Sequence, residues 1–301
     1  MKHLILILCL LLIGSLALAE ETNENAGKYG YKFLNVPSGP VSIALAGRGV
    51  HSPGNSTSFI FQPAASCENG ERILGLSHSP WLIDTAANCL SYSYSQRTHH
   101  FGIAMRNLDY GELENRDDTG FLIGHYNPLD VDILTNYARR ITPSFYLGIN
   151  AGILYQKLNT ATSLGAHTDL GLSYLPPLSG SKLSISARNL GLASKTNQET
   201  VKFPTSYEAD ISNVQKFGET SVMLAVAGIK GMDEDAKFSV SSEVGLLNMV
   251  SLRFGYKFNY AAENLSAGLG VAYRKVHIDY AYAAFSEELN AVHSIGVAYQ
   301  F

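Results

Sequence analysis

The chain has 301 residues, carries a formal net charge of −4 at pH 7, and has only 16% charged residues. That fraction lies well below the roughly 25% of soluble domains, and the small net charge argues against a nucleic-acid partner. Mean hydropathy is nevertheless close to zero, at +0.02. These values favour elements that are apolar on one face only, as in the wall of a membrane barrel.

The first 19 residues have the pattern of a secretory signal peptide. Lys2 precedes the apolar run at positions 4–13, and Ala17 and Ala19 form a small-x-small cleavage site. A transmembrane anchor is the alternative, but the run is short for a helical span, which needs about 20 residues. We therefore expect residues 1–19 to be removed on export.

Residues 20–70 are rich in Gly and Pro and show no alternation. Phe33, Leu34, Phe59 and Ile60 give this region apolar side chains that can pack against a barrel wall. Irregular backbone at membrane depth must be buried in protein or wet. We expect a plug, or hatch, inside the barrel; a flexible periplasmic tail is the alternative.

From residue 71 to residue 301, apolar and polar or small residues alternate with a period of two, which predicts strands. Each run is close to the 9–11 residues that a tilted transmembrane strand needs. The expected fold is an all-β, antiparallel transmembrane barrel of about 14 strands, an even number as in bacterial single-chain barrels. The predicted strands are 72–79, 88–97, 99–108, 130–142, 144–157, 163–175, 181–189, 205–212, 219–229, 236–246, 249–258, 265–274, 276–285 and 292–301.

The last predicted strand is amphipathic and ends on an aromatic residue, as bacterial outer-membrane barrels do. Ile295, Val297, Tyr299 and Phe301 share its apolar face. We interpret Tyr299 and Phe301 as a signal read by the barrel-assembly machinery during biogenesis. The expected location is the bacterial outer membrane, with membrane lipid as a partner.

Charged residues of the predicted strands fall mainly on the face opposite the apolar one. A soluble sandwich is the alternative, and it would show the same alternation with its faces reversed. In a membrane barrel, a charge on the lipid face costs about 2–4 kcal/mol near the midplane. A wet lumen therefore explains their placement. The residues predicted to face it are Arg188, Glu243, Arg253, Lys257, Arg274 and Asp279.

The residues that could carry catalysis or bind metal form no convincing site. His99 and His100 are adjacent on a strand and point to opposite faces. His277 and Asp279 share a face, but no nucleophile elbow marks an activated serine. We therefore expect no catalytic residue, no metal and no cofactor, and the protein is not expected to be an enzyme. Whether Cys67 and the cysteine at position 89 form a disulfide is left open.

Short motifs in the presumed plug resemble those of the PorV/PorQ family, outer-membrane proteins related to the FadL fatty-acid transporters. They are FLNVP at 33–37, ALAGRG at 44–49 and FQPA at 61–64, followed in the barrel by RNLG at 188–191 and FP at 203–204. The plug-motif residues are Ala46, Gly47, Gly49, Gln62, Pro63 and Ala64. The chain departs from the family in having Gln62 where Asn is usual before Pro-Ala.

This resemblance implies a FadL-like barrel with an N-terminal hatch and leaves three functions open. The first is a component or partner of type IX secretion that binds exported cargo or its signal domain. The second is a channel for a hydrophobic small molecule such as a long-chain fatty acid. The third is a structural membrane protein with no transport role. The longest expected loop, at 109–129, could supply a surface for the first function.

Overall fold

The computed structural model describes residues 27–47, 52, 54–64, 72–193, 195–196, 199–286 and 289–301. The predicted signal peptide, Gly49 and Cys67 lie outside these residues. No helix in the described ranges is long and apolar enough to cross a membrane.

Fourteen antiparallel strands close into a barrel, which confirms the predicted fold class. Four further short strands form two small hairpins outside the barrel sheet, at 113–126 and 195–200. In chain order the strands are β1 (Arg72–Pro80), β2 (Ala86–Gln96), β3 (His99–Asp109), β4 (Leu113–Arg116), β5 (Leu122–Tyr126), β6 (Leu129–Arg140), β7 (Phe145–Leu158), β8 (Ala161–Tyr174), β9 (Ser181–Ala193), β10 (Lys195–Thr196), β11 (Glu199–Thr200), β12 (Ser206–Phe217), β13 (Thr220–Gly231), β14 (Lys237–Leu246), β15 (Val250–Phe258), β16 (Glu263–Tyr273), β17 (Val276–Phe285) and β18 (Val292–Gln300).

The wall alternates strictly between the two faces, as the period of two predicts. In β18, Ile295, Val297 and Tyr299 are exposed on the outside, and Val292 and Ser294 are buried on the inside. β18 pairs with β1 and closes the barrel, so no strand edge is left unpaired within the membrane.

Two strands run well past their predicted ends: β12 continues to Phe217 instead of residue 212, and β9 continues to Ala193 instead of residue 189. Pairing with β8 shifts there between Thr168 and Leu170, so β9 contains a bulge. Asn189 adopts a φ of 55° at this point, and its backbone N–H donates to Asp169 Oδ1 at 2.7 Å. The bulge lets the strand continue although the local sequence resembles a turn.

The two ends of the barrel differ in the length of their connections. At one end the connections are short, as at residues 97–98, 218–219 and 274–275; at the other, residues 110–128 and 194–205 form long loops. Short turns face the periplasm in barrels of this kind, and long loops face outward. The C-terminus therefore lies at the periplasmic rim, where the Phe301 backbone N–H donates to the Arg72 carbonyl at 2.9 Å.

The described residues of the N-terminal region (27–47, 52 and 54–64) lie inside the barrel and are called the plug below. The plug contains a 3-10 helix (Lys32–Asn35) and two short helices, α1 (Pro40–Ala44) and α2 (Ser58–Phe61). All residues of α1 and α2 are buried, and α1 packs against β15 to β18. These helices are too short to be stable alone, so contacts with the wall hold them.

Glycines on the lumen face let the plug backbone approach the wall. A Cβ at Gly148 would lie 2.2 Å from the Pro63 backbone, and one at Gly255 would lie 2.6 Å from the Ala46 backbone nitrogen. Both distances are shorter than any side chain tolerates, so the plug follows a track of small wall residues. Its chain runs from the outer mouth, near Lys32, to the periplasmic end, near Ala64.

Candidate functional site: the plugged lumen

The lumen contains two buried networks of charged side chains, and the first includes three residues predicted from alternation. Arg253 on β15 donates to Glu243 on β14 at 2.6 Å and to Asp279 on β17 at 2.6 Å. Its Nη2 also lies 2.8 Å from Ser52 Oγ of the plug. The Arg253 side chain is only 2% exposed. A buried cation is tolerated when it is paired in this way, so this cluster ties the plug to three strands.

The second network lies across the lumen and was only partly predicted. Arg106 on β3 pairs with Asp132 on β6 at 2.8 Å, and Arg188 on β9 pairs with Glu208 on β12 at 2.8 Å. Both arginines donate to the backbone carbonyl of Leu34 in the plug, at 3.2 and 3.4 Å. The 3-10 helix is therefore anchored from two sides.

His167 on β8 joins this second network, with Nε2 2.9 Å from Asp132 Oδ1. Arg106, Asp132 and His167 were not predicted. They lie on the lumen face of three predicted strands, so alternation applied to those strands would have found them. Alternation alone would not have shown that they meet, because residues 106, 132 and 167 come from different hairpins.

The remaining residues predicted to face the lumen are placed differently. Lys257 is half-buried and pairs with Glu263 near the outer mouth. Arg274 lies in the exposed β16–β17 turn and not on a strand face, with its guanidinium 5.4 Å from the Tyr273 ring centroid. The alternating pattern predicted a strand as far as residue 274, whereas β16 ends at Tyr273. Tyr299 and Phe301 pack edge to face at the periplasmic rim, 5.0 Å apart.

The plug-motif residues occupy both ends of the plug. Ala46 and Gly47 have φ values of 55° and 84° and face the outer half of the lumen. At the periplasmic end, Gln62 Nε2 donates to the Ile185 carbonyl at 3.2 Å, and the Pro63 carbonyl accepts from Asn136 Nδ2 at 3.1 Å. Ala64 is fully buried. Cys89 is buried and has no disulfide partner among the described residues; its pairing with Cys67 stays open.

An apolar cluster closes the outer half of the lumen. It consists of Tyr31, Phe33, Leu34, Leu108, Leu154 and Phe203. Phe203 comes from the loop between β11 and β12, yet it is only 3% exposed. Its ring lies 4.8 Å from the Tyr31 ring.

Two glycines on the wall make the space that Phe203 fills. A Cβ at Gly165 would be 2.5 Å from Phe203 Cζ, and one at Gly191 would be 2.6 Å from Phe203 Cγ. The recess is therefore ring-sized and largely apolar, with the imidazole of His167 at its edge, 5.8 Å from the Phe203 ring. Phe203 could be predicted only as part of a short motif, because nothing in a loop of irregular sequence indicates which way a side chain points.

The loop that carries Phe203 is bound to the plug. The Gly30 backbone N–H donates to the Lys202 carbonyl at 3.0 Å, and Lys202 Nζ lies 5.6 Å from the Tyr29 ring centroid. Movement of this loop would therefore disturb the first described residues of the plug as well as empty the recess.

A cavity of about 390 Å³ lies beside the apolar cluster, at the outer mouth. Its lining includes Trp81, Phe61, Lys32 and the Arg188–Glu208 pair. Trp81 also packs against the cluster, and it is the one tryptophan of the chain. The cavity therefore places a polar, charged rim directly against an aromatic wall.

Charged pairs link the plug to the loop between β13 and β14 at this rim. Lys32 Nζ lies 2.9 Å from Glu234 Oε1, and Lys237 Nζ lies 2.6 Å from Glu234 Oε2. Burial alone would raise the pKa of Glu234, but the hydrogen bonds and charges of Lys237 and Lys32 hold that pKa below its ordinary value. Burial also opposes the charged form of Lys32, yet Asp233 and Glu234 raise its pKa.

Comparison with known proteins supports the fold and gives no family. No protein-family profile matches the chain, and no curated protein matches it. Among solved structures, it is similar to the CymD monoaromatic hydrocarbon channel, with 14% identity, a TM-score of 0.62, and coverage of 89% of this chain and 98% of that one.

Two further solved structures are similar to this chain in fold. The Pseudomonas putida toluene transporter TodX has 12% identity and a TM-score of 0.61, with coverage of 92% of this chain and 99% of that one. A Pseudomonas aeruginosa FadL homologue has 10% identity and a TM-score of 0.56, with coverage of 87% and 98%. Membership of the PorV/PorQ family stays a prediction. The chain has the fold of the FadL-like outer-membrane channels.

Proposed function

We propose that the protein is an outer-membrane channel for a small hydrophobic molecule, and that the recess occupied by Phe203 is its binding site. The observation that supports this proposal best is the recess itself. An aromatic side chain from an outer loop fills a largely apolar, ring-sized space beside an open cavity. Apolar pockets with a few polar groups at the rim are typical of small-molecule sites.

The shape and lining of the recess indicate which class of ligand it could bind. Phe203 is held by Tyr31, Leu154 and the flat surface of two glycines, so a free aromatic ring or an acyl segment could replace it without burying a polar group. The solved channels of similar fold include a toluene transporter and a monoaromatic hydrocarbon channel. A small aromatic hydrocarbon is therefore the first ligand to test, and a long-chain fatty acid the second.

The plug would act as the gate of this channel. The Leu34 carbonyl is held by two arginines, and Ser52 is held by Arg253. A ligand that displaces Phe203 also loosens the loop bound to Gly30, and so acts on the plug at its outer end. Passage then requires that the plug shift away from the wall.

Trp81 provides the binding experiment, because its emission reports on the cavity and the cluster together. We expect toluene to change Trp81 fluorescence saturably in the wild-type barrel, and to bind several-fold more tightly to Phe203→Ala, since that change empties the recess. An emptied apolar cavity of this type accepts a benzene-sized ligand. Phe121→Ala, in an exposed outer hairpin, is the matched control.

Oleate is titrated in parallel with toluene. If neither ligand binds to a barrel that still migrates differently when boiled and unboiled, the channel proposal fails. Equal affinities for Phe203→Ala and Phe121→Ala would show that the ligand binds elsewhere.

A secretion role is the second candidate, and one observation favours it. The predicted loop at 109–129 contains the hairpin of β4 and β5, which is exposed on both faces. Phe121 at its tip is 71% exposed and Ile123 is 58% exposed. Such a tip suits contact with exported cargo or a type IX component. Deleting residues 113–126 would then impair binding of those proteins and leave toluene binding unchanged.

A further inference from the structure

The outer wall of the barrel carries a groove of about 980 Å³, lined mainly by outward-facing apolar residues. It follows a row of residues that face outward and pair directly across β6 to β14. The row begins at Arg139, passes Ile185, Ala209 and Gly228, and ends at Phe238. These residues all line the groove.

The floor of the groove is formed by small side chains where the wall elsewhere carries large ones. Ala209 and Gly228 are paired with each other, and Ala187 lies beside them in the next row, paired with Tyr207. Tyr207 and Phe238 stand at the rim and line the depression. The row crosses six inter-strand spacings and is therefore about 29 Å long, measured obliquely across the tilted strands.

Each end of the groove carries a cation, and the two cations differ in whether a carboxylate lies beside them. Lys230, at the outer end, faces Asp235 at 3.8 Å. Arg139, at the periplasmic end, is exposed on the lipid side next to Tyr137. Within the described ranges, no carboxylate pairs with Arg139. A free guanidinium at this end of the wall can bind a lipid phosphate through two parallel hydrogen bonds.

We propose that this groove binds one phospholipid of the periplasmic leaflet, with its phosphate on Arg139 and an acyl chain over the floor formed by Ala187, Ala209 and Gly228. The small floor residues supply the depth that an acyl chain needs, and the single unneutralised cation fixes the end at which the head group lies. This site does not depend on the proposed channel function, because Ala187, Ala209 and Gly228 face outward and take no part in the lumen networks.

The test uses the full-length barrel, delipidated in detergent and titrated with palmitoyl-oleoyl-phosphatidylglycerol, with bound lipid counted by native mass spectrometry. We expect one lipid per wild-type barrel. Ala209→Leu should abolish that bound lipid, whereas Ala267→Leu should not, because Ala267 is a lipid-facing alanine on β16, outside the groove.

The charge is tested with a second matched pair. Arg139→Gln should weaken binding about fivefold, the effect of one basic residue near an anionic surface, whereas Arg274→Gln removes a cation from the same rim and should change nothing. Equal binding by Ala209→Leu and Ala267→Leu would mean only annular lipid and would overturn the proposal. Preferential retention of lipid A over the phospholipid would overturn the assignment to the periplasmic leaflet.

Discussion

Replacing Arg253 with Met should destabilise the barrel more than any other single loss of charge in the lumen. Arg253 satisfies two carboxylates, those of Glu243 and Asp279, at 2.6 Å each. The side chains of both acids are less than a tenth exposed. Removing one partner of a buried ion pair costs about 3–5 kcal/mol, since a buried charge is left uncompensated. Here two such charges remain, so we expect the upper part of that range.

The measurement is the midpoint of urea unfolding, followed by the mobility shift between folded and unfolded barrel. Arg274→Met is the matched control: that arginine lies in an exposed turn, and its loss should change stability by less than about 0.5 kcal/mol. The triple change Arg253→Met, Glu243→Gln and Asp279→Asn should recover most of the loss, because no unpaired charge remains. Equal midpoints for Arg253→Met and Arg274→Met, or a triple variant weaker than the single one, would refute this reasoning.

Three more outcomes are expected. Gly148→Val should displace the plug, since its Cβ would lie 2.2 Å from plug backbone, and limited proteolysis should then cleave the plug faster than in the wild type. Because the pKa of Glu234 is lowered in the folded state, its link to Lys32 is complete above the ordinary glutamate pKa of 4.5 and is lost as the pH falls through the folded value; hydrogen exchange of the 3-10 helix should rise in that acid range, and Glu234→Gln should remove the dependence. Leu269→Arg, on the lipid face, should cost about 2–4 kcal/mol in urea unfolding, whereas Ser251→Arg on the lumen face should be milder; similar costs would reverse the assignment of the two faces.

The fold could be predicted from sequence because one face of every strand is dictated by lipid. A period of two is visible in a single segment, so all 14 barrel strands were found without knowledge of their partners. The same parity placed Arg253, Glu243 and Asp279 on one face. It did not show that they meet, since that depends on the register of β14, β15 and β17.

The recess could not be predicted in the same way. Phe203 belongs to a loop with no periodicity, and its contacts, Gly165 and Gly191, carry no side chain that would indicate a pocket. The bulge at Asn189 depends on a hydrogen bond to Asp169 on another strand. Such features arise from tertiary contacts between segments distant in sequence, where local pattern carries no information.

We propose that hydrophobic molecules cross this barrel when the plug moves. A reversible disulfide between the plug and the wall tests this proposal, because it stops the movement without changing the lumen otherwise. Ser56 of the plug and Ser91 of β2 have their Oγ atoms 2.6 Å apart, so both can be changed to Cys in a background free of other cysteines. The measurement is the uptake of labelled oleate by cells that lack other channels for it. We expect uptake above that of empty cells, a fall when the cysteine pair is oxidised, and recovery on reduction. Uptake no greater than in empty cells, or equal uptake by oxidised and reduced barrels, would show that hydrophobic molecules do not cross by way of a moving plug.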